Sequence, residues 1–155
     1  MNSTATSVGG WPASEMKTYV NGDIYNALPS ELQKVIISTK VTSSHSSESY
    51  TNFISNDKLY LLSTKEVWGK LTESYDSAAS ETRQLDYYKN EGVTDSNNYN
   101  LARKKYGNGN ECWWLRSEWS YGGVTDSFYY VNDSGYHPRT DANTVYGVSP
   151  AFRIA

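Results

Sequence analysis

An α+β domain is the fold class that the sequence predicts, and three observations support it. Apolar residues recur at helical spacing near the N-terminus, and β-branched and aromatic runs dominate the C-terminal third. The two regions also follow one another instead of alternating along the chain. With 155 residues, the chain is long enough for one mixed core. We therefore predict a single domain over residues 1–155, with an antiparallel sheet, short flanking helices and long loops.

The N-terminal segment carries the first helical pattern. Apolar side chains fall at helical spacing there, and Asn21 with Gly22 supplies residue types that end helices. The pattern predicts a short helix over residues 12–20.

Between residues 30 and 62 the chain is predicted to change from helix to strand. Ser30 and Gln33 have capping-box spacing at the start of a second helix, and the β-branched run 35–41 favours extended chain. Residues 42–57 are almost all polar and predict a long exposed loop. The apolar run 59–62 then predicts a buried strand.

A third helical segment is predicted where Ser63 and Glu66 repeat the capping-box spacing. A further helix is expected over residues 81–89. Residues 90–110 are dense in Asn and Gly and predict a loop, with a turn at Gly107.

The C-terminal third predicts strands. Residues 112–117, 128–132 and 148–154 are apolar or aromatic and are separated by turns that contain Gly, so we expect three strands of one antiparallel sheet.

Core positions follow from these strands. Trp113 or Trp114, and Phe152, are expected to be largely buried because apolar strand residues are usually core. Arg116 and Arg153 lie in the same strands, and we expect both to be paired structural charges.

Several function classes are excluded by composition. The net charge is −3 with scattered Lys and Arg, which argues against nucleic acid as a partner. No apolar run could cross a bilayer and no targeting segment is visible, so we expect no membrane insertion. Cys112 is the only cysteine, which excludes an intramolecular disulfide and a cysteine-based zinc site.

Enzyme chemistry is not indicated either. His45 and His137 lack helical partners for a metal, and no nucleophile-elbow pattern is present. We therefore predict no catalytic residues, no metal ligands and no cofactor. A structural calcium near Asn132 and Asp133 stays open, although two residues supply too few oxygen ligands for it.

The polar and aromatic residues between the C-terminal strands have the composition of a paratope. Tyr offers contact area at low entropic cost, and Ser, Asn and Asp offer adaptable hydrogen bonds. Loops between strands are rich in the same residues, so an ordinary loop surface is the alternative. The predicted ligand-binding residues are Trp119, Tyr121, Tyr129, Tyr130, Asn132, Tyr136, His137, Arg139, Asp141, Asn143 and Tyr146.

A family resemblance rests on residues 113–117 (WWLRS) and 147–154 (GVSPAFRI), with Phe128, Val131, Gly135 and Ala142 between them. This spacing resembles the C-terminal signature of a bacterial and phage family of domains of unknown function. Upstream stretches, including Gly9, Gly10 and Trp11, are similar to the same family. Its members usually carry further N-terminal strands, so we expect this chain to be a C-terminal fragment of a longer protein.

That family in turn resembles the variable proteins of diversity-generating retroelements. The resemblance implies a C-type-lectin-like fold, related to that of formylglycine-generating enzymes, with residues 113–155 as a variable ligand-binding region. It implies an adhesin or phage receptor-binding module, extracellular on a bacterial surface or a virion, whose partner is a cell-surface protein or glycan. A fixed carbohydrate-binding lectin domain and a structural domain of a surface or virion protein are the alternatives.

Overall fold

The computed structural model describes residues 1–44, 51–69 and 81–155. Its N-terminal part is a series of short helical turns. They are α1 (Gly10–Ala13), α2 (Glu15–Tyr19), a π-helical turn (Val20–Ile24) and α3 (Tyr25–Ala27). The helix predicted over residues 12–20 is confirmed, although Ser14 divides it. The hydroxyl of Ser14 accepts a hydrogen bond from the backbone N–H of Lys17 at 3.1 Å and caps α2.

The predicted helix end at Asn21 and Gly22 is wrong, because helical backbone continues to Ala27. Asn21 instead ties the helical run to the following chain. Its amide nitrogen donates to the carbonyl of Leu59 at 2.7 Å, and its side-chain oxygen accepts from the N–H groups of Lys58 and Leu59. The side chain is thus occupied by a tertiary contact and does not terminate the helix.

The change from helix to strand near residue 36 is confirmed. Helix α4 (Ser30–Val35) leads directly into β1 (Ile36–Ile37) and then β2 (Thr39–Ser43). The Ser30 and Gln33 capping box is wrong, because Pro29 occupies the N-cap position. The side chain of Gln33 donates to the carbonyl of Leu28 at 2.7 Å instead.

The segment predicted as a long exposed loop contains strand at both ends. Strand β2 pairs antiparallel with β3 (Phe53–Asp57), with Thr39 opposite Asp57. Ser55 and Asp57 are polar but buried here. Their burial is tolerated because Asp57 accepts hydrogen bonds from Trp11 Nε1 at 2.9 Å and Ser55 Oγ at 2.7 Å. Residues 45–50, which include His45, lie outside the described residues.

Residues 59–62 are buried as predicted, but the backbone forms only one bridge, from Tyr60 to Ala151, and no regular strand. The following helix α5 (Thr64–Trp68) begins with the predicted capping box, in which Ser63 and Glu66 each bond the other's backbone N–H. The helix predicted over 81–89 is shorter and later, as α6 (Asp86–Asn90).

The region predicted as loop between residues 90 and 110 holds a 3-10 helix (Tyr99–Ala102) and a hairpin. Its strands are β4 (Lys104–Tyr106) and β5 (Gly109–Glu111), and the predicted turn at Gly107 joins them. Each strand has only three residues, which is too short for an alternation of apolar and polar residues to stand out.

A three-stranded antiparallel sheet follows, with strand order β6 (Trp113–Tyr121), β7 (Val124–Val131) and β8 (Arg139–Asp141). Two of the predicted strands are therefore confirmed. The third is wrong, because residues 148–154 do not join this sheet; β9 (Arg153–Ile154) pairs with β1 instead. The short polar strand β8 takes the predicted place.

The core lies between this sheet and the N-terminal helices, with α1 contacting β6. Trp113 and Trp114 are buried as predicted. Phe152 is 40% exposed, so its assignment to the core is wrong. Its neighbour Ala151 makes the bridge to Tyr60, and Phe152 follows it outside any strand, between this bridge and the two-residue β9. The molecule is thus a mixed α+β domain with small antiparallel sheets and short helices.

Candidate functional site

The register of the three-stranded sheet fixes the face on which four of the predicted site residues lie. Trp119 lies opposite Ser127, which lies opposite Asp141, and Tyr129 lies opposite Arg139. Side chains opposite each other in an antiparallel sheet share a face, as do residues two apart in one strand. These five side chains therefore leave the sheet on the same side.

A cation–π stack joins two side chains on this face. The guanidinium carbon of Arg139 lies 3.1 Å from the centroid of the Trp119 ring. Trp119 is almost wholly buried, whereas Arg139 and Asp141 are exposed. The indole thus supports the guanidinium from below and leaves its N–H donors accessible from outside.

Tyr121 extends this face at the tip of the β6–β7 hairpin. The turn consists of Gly122 and Gly123, both with positive φ (61° and 78°), as a two-residue type I′ turn requires. The Tyr121 ring lies 6.4 Å from the Trp119 ring and is 61% exposed. We call Trp119, Tyr121, Arg139 and Asp141 together the Trp119 platform.

Tyr136 and His137 form a separate aromatic group. Their rings stack at 4.2 Å, and His137 also meets the ring of Trp68 at 5.0 Å. Tyr136 contacts Tyr99 at 5.9 Å and is exposed. The group is therefore anchored on α5 and the 3-10 helix and not on the platform.

Asn132 has a structural role in the turn that precedes this group. Its side-chain oxygen accepts hydrogen bonds from the backbone N–H groups of Ser134 and Tyr136, at 3.1 and 2.9 Å, and from the hydroxyl of Ser134. This is an Asx-type turn. The side-chain oxygen of Asn132 is thus engaged inside the turn.

Tyr130 and Tyr146 lie on the opposite side of the sheet from the platform. Tyr130 is opposite Trp114 in the register, and its ring lies 4.4 Å from that of Tyr146. Burial, helped by a hydrogen bond with Tyr130, raises the pKa of Tyr146. Asn143 is exposed in a shallow depression beside Tyr146 and Trp114.

The predicted binding residues therefore do not share one exposed face. Tyr129 is buried, and the alternation of the strand turns Tyr130 away from its neighbour. The sequence could not show this, because composition does not reveal which side chains face the core. What remains together is the Trp119 platform.

Arg116 is a paired structural charge, as predicted. It forms a salt bridge with Glu66 and is almost fully buried. Arg153 is exposed and forms no salt bridge within the described residues, so the same prediction is wrong for it.

The structure also contains a cleft that the sequence analysis did not predict. It has a volume of about 690 Å³ and lies between the β4–β5 hairpin and residues 145–149. Lys104 Nζ lies 5.0 Å from the centroid of the Trp113 ring, and burial lowers the pKa of this ammonium group. Cys112 also lines the cleft, and burial raises the pKa of its thiol. Lys104 and Lys105, followed by Gly107 and Gly109, were a sequence pattern that could have indicated the cleft. The same residue types are typical of an ordinary turn, so the pattern was not distinctive.

A protein-family model described as "Domain of unknown function (DUF6273)" matches residues 1–155, the whole of this chain. The chain belongs to the DUF6273 family. Among curated proteins and among solved structures, none matches it. The family description assigns no activity, so the function of this DUF6273 domain has to follow from its side chains.

Within residues 1–44, 51–69 and 81–155, no group of three or more His, Cys, Asp and Glu side chains is placed to hold a metal ion. No helix in these ranges has the length and apolar character needed to cross a bilayer.

Proposed function

We propose that this domain is a ligand-binding module that recognises a cell-surface protein or glycan through the Trp119 platform. The observation that carries the proposal is the stack of Arg139 on Trp119 beside the exposed ring of Tyr121. Arg, Trp and Tyr are the residue types that dominate binding energy at protein interfaces. Here they stand side by side at the end of the sheet that carries the β6–β7 hairpin.

The platform is suited to recognition because its parts are held in place. Trp119 is fixed by burial and Arg139 by its stack on Trp119, so little side-chain entropy is lost when a ligand binds. Asp141 adds an exposed carboxylate beside the guanidinium. Such a surface offers an aromatic ring, hydrogen-bond donors and acceptors at fixed positions.

We further propose the C-type-lectin-like fold and the relationship to retroelement variable proteins. The sequence signature at residues 113–117 and 147–154 supports both, as does an antiparallel sheet with short helices and long connections. On this proposal residues 113–155 are the variable region, and the domain acts outside the cell, on a bacterial surface or a phage virion. Its place there follows from the resemblance alone.

A structural domain of a surface or virion protein is the second candidate. The burial of Tyr129 and the packing of Tyr130 against Tyr146 favour it, because these tyrosines serve the core and not a display surface. A fixed lectin domain would use the same platform, with sugar rings stacked on Tyr121. One experiment separates the two binding candidates, the variable recognition module and the fixed lectin domain, from the structural domain, which would bind no ligand.

The test compares Tyr121→Ser with Tyr87→Ser. Both tyrosines are 61% exposed, but Tyr87 lies on α6, outside the platform, and so controls for the loss of one surface ring. The labelled full chain is applied to an array of immobilised glycans and to intact bacterial cells. We expect Tyr121→Ser to lose about 2 kcal/mol of binding free energy, roughly thirtyfold in affinity, and Tyr87→Ser to bind like the parent chain.

Equal binding by all three proteins would exclude the platform as the binding surface. Absence of binding to every glycan and cell would favour the structural domain. Arg139→Ser provides a second variant at the platform, and it is expected to reproduce the loss seen for Tyr121→Ser, since both side chains belong to one contact surface.

A further inference from the structure

The cleft beside the β4–β5 hairpin is a second concave site, and it shares no lining residue with the Trp119 platform. Its volume of about 690 Å³ falls within the range of roughly 300–1,000 Å³ that small-molecule sites occupy. The cleft can therefore hold an organic molecule, not only a few water molecules.

The walls of the cleft are mainly apolar. Tyr146 contributes aromatic surface, and Val145 and Val148 contribute aliphatic surface, whereas the Trp113 ring lies behind them and is 2% exposed. Val145 is 92% exposed, so it offers apolar contact area that the fold itself does not use. A ligand with an apolar or planar body would remove this area from water.

A cation is placed at the same wall. Lys104 is partly buried, and its Nζ lies over the face of Trp113, 5.0 Å from the ring centroid. It forms no salt bridge in the described parts of the chain, although Glu111 is its cross-strand neighbour. An ammonium group that has lost part of its water and has no carboxylate partner favours an anion from outside.

The charges of the cleft limit what that anion can be. Lys104 and Lys105 are opposed by the single carboxylate of Glu111, which leaves a net charge of one positive unit on the lining. A ligand with one negative charge balances it, whereas a dianion would meet Glu111 at close range.

We propose that this cleft binds a small molecule that carries one carboxylate on an apolar, planar body, with Lys104 as the contact for the carboxylate and Tyr146 and Val145 as the wall for the body. This site goes beyond recognition at the platform and does not depend on it, because the two share no side chain.

The probe for this proposal is indole-3-propionate, compared with the uncharged indole-3-propanamide of nearly the same shape. Both are titrated into the full chain and followed by protein NMR. We expect the acid to bind with a dissociation constant on the order of 1 mM, as its size suggests. The amide should bind about tenfold more weakly. Shifts should concentrate at residues 104–113 and 145–149.

Variants then assign the charge. Lys104→Gln should weaken the acid about tenfold and leave the amide unchanged, whereas Lys89→Gln on α6 removes an equal charge outside the cleft and should change neither. Val145→Glu places a second carboxylate at the exposed rim and should also weaken the acid. Equal affinities for acid and amide, no effect of Lys104→Gln, or no binding of the acid at about 10 mM would each overturn the proposal.

Discussion

Arg116 joins three parts of the chain that are far apart in sequence. Its Nη1 donates to the carbonyl of Leu61 at 2.6 Å, and its Nε and Nη2 donate to the carbonyl of Thr42 at 3.2 and 3.1 Å. Its salt bridge to Glu66 adds helix α5 to the same network. A buried guanidinium is tolerated only when its donors are satisfied in this way.

Removing this side chain should therefore be costly. We expect Arg116→Ala to lower the free energy of unfolding by about 3 to 5 kcal/mol, because Glu66 and two buried carbonyls lose their partner together. Arg103→Ala is the control, since Arg103 is exposed and should cost within about 0.5 kcal/mol. Urea unfolding of both variants measures the difference, and equal midpoints would contradict the structural role.

The sequence predicted that Arg116 is structural but could not name its partners. A buried position follows from the apolar residues around it, since Trp114 and Leu115 precede it in a strand. The partners lie about 50 to 74 residues away along the chain, and no local pattern encodes such a pairing. The Ser63 and Glu66 capping box was predictable for the opposite reason, because both residues lie within one turn.

Elements with long apolar runs were predicted, and short polar elements were not. Strands β6 and β7 have eight or nine residues with several aromatic side chains. Strand β8 has three residues, Arg139–Asp141, and a sequence typical of a loop. Because alternation along a strand does not specify its neighbour, the sequence placed residues 148–154 beside this sheet, whereas β9 completes a pair with β1.

Gly135 joins the turn after β7 to the 3-10 helix. It has φ of 95°, and a Cβ at this position would lie 2.3 Å from the backbone oxygen of Tyr99 and 2.8 Å from Cα of Asn100. Only glycine allows both the backbone conformation and this approach. The glycine in the family signature thus has a packing reason that the sequence alone did not reveal.

Gly135→Ala should therefore lower the free energy of unfolding by more than backbone strain alone would. The matched control is Gly122→Ala in the β6–β7 turn, which also has positive φ (61°) but has no atom within 4 Å of the added Cβ. We expect about 1 to 2 kcal/mol for Gly122→Ala from strain, and a clearly larger loss for Gly135→Ala because backbone atoms must move. Equal losses in urea unfolding would show that the turn can shift away from Tyr99 at little cost.

Across the whole molecule, aromatic residues divide into those that build the core and those that face outward. The sequence has 14 Tyr and 5 Trp, and composition alone could not divide them. The pleat of the three-stranded sheet turns Tyr129 and Tyr130 to opposite faces, but both faces carry buried side chains, so burial depends on what packs over each position. Of the predicted binding residues, Trp119, Tyr121, Arg139 and Asp141 remain together, and Asn132 and the Tyr130–Tyr146 pair support the fold.

Trp114 and Phe152 differ in burial, so substitutions at the two positions should differ in their effect on the free energy of unfolding. Trp114 is 1% exposed and packs against the rings of Tyr130 and Tyr146, at centroid distances of 6.1 and 5.1 Å. Phe152 belongs to the same family signature but is 40% exposed and lies just before β9, outside any strand. A substitution at Trp114 opens a cavity in the core, whereas one at Phe152 uncovers surface that water already reaches.

We therefore expect Trp114→Ala to lower the free energy of unfolding by about 3 to 5 kcal/mol, the range for large aromatic residues in cores. Phe152→Ala should cost no more than about 2 kcal/mol, since only part of its ring leaves an apolar environment. Chemical unfolding of the two variants, with the slope against denaturant checked for two-state behaviour, gives both values. If Phe152→Ala proved as costly as Trp114→Ala, the exposed ring would have to be covered by a partner in solution, and β9 would belong to an interface.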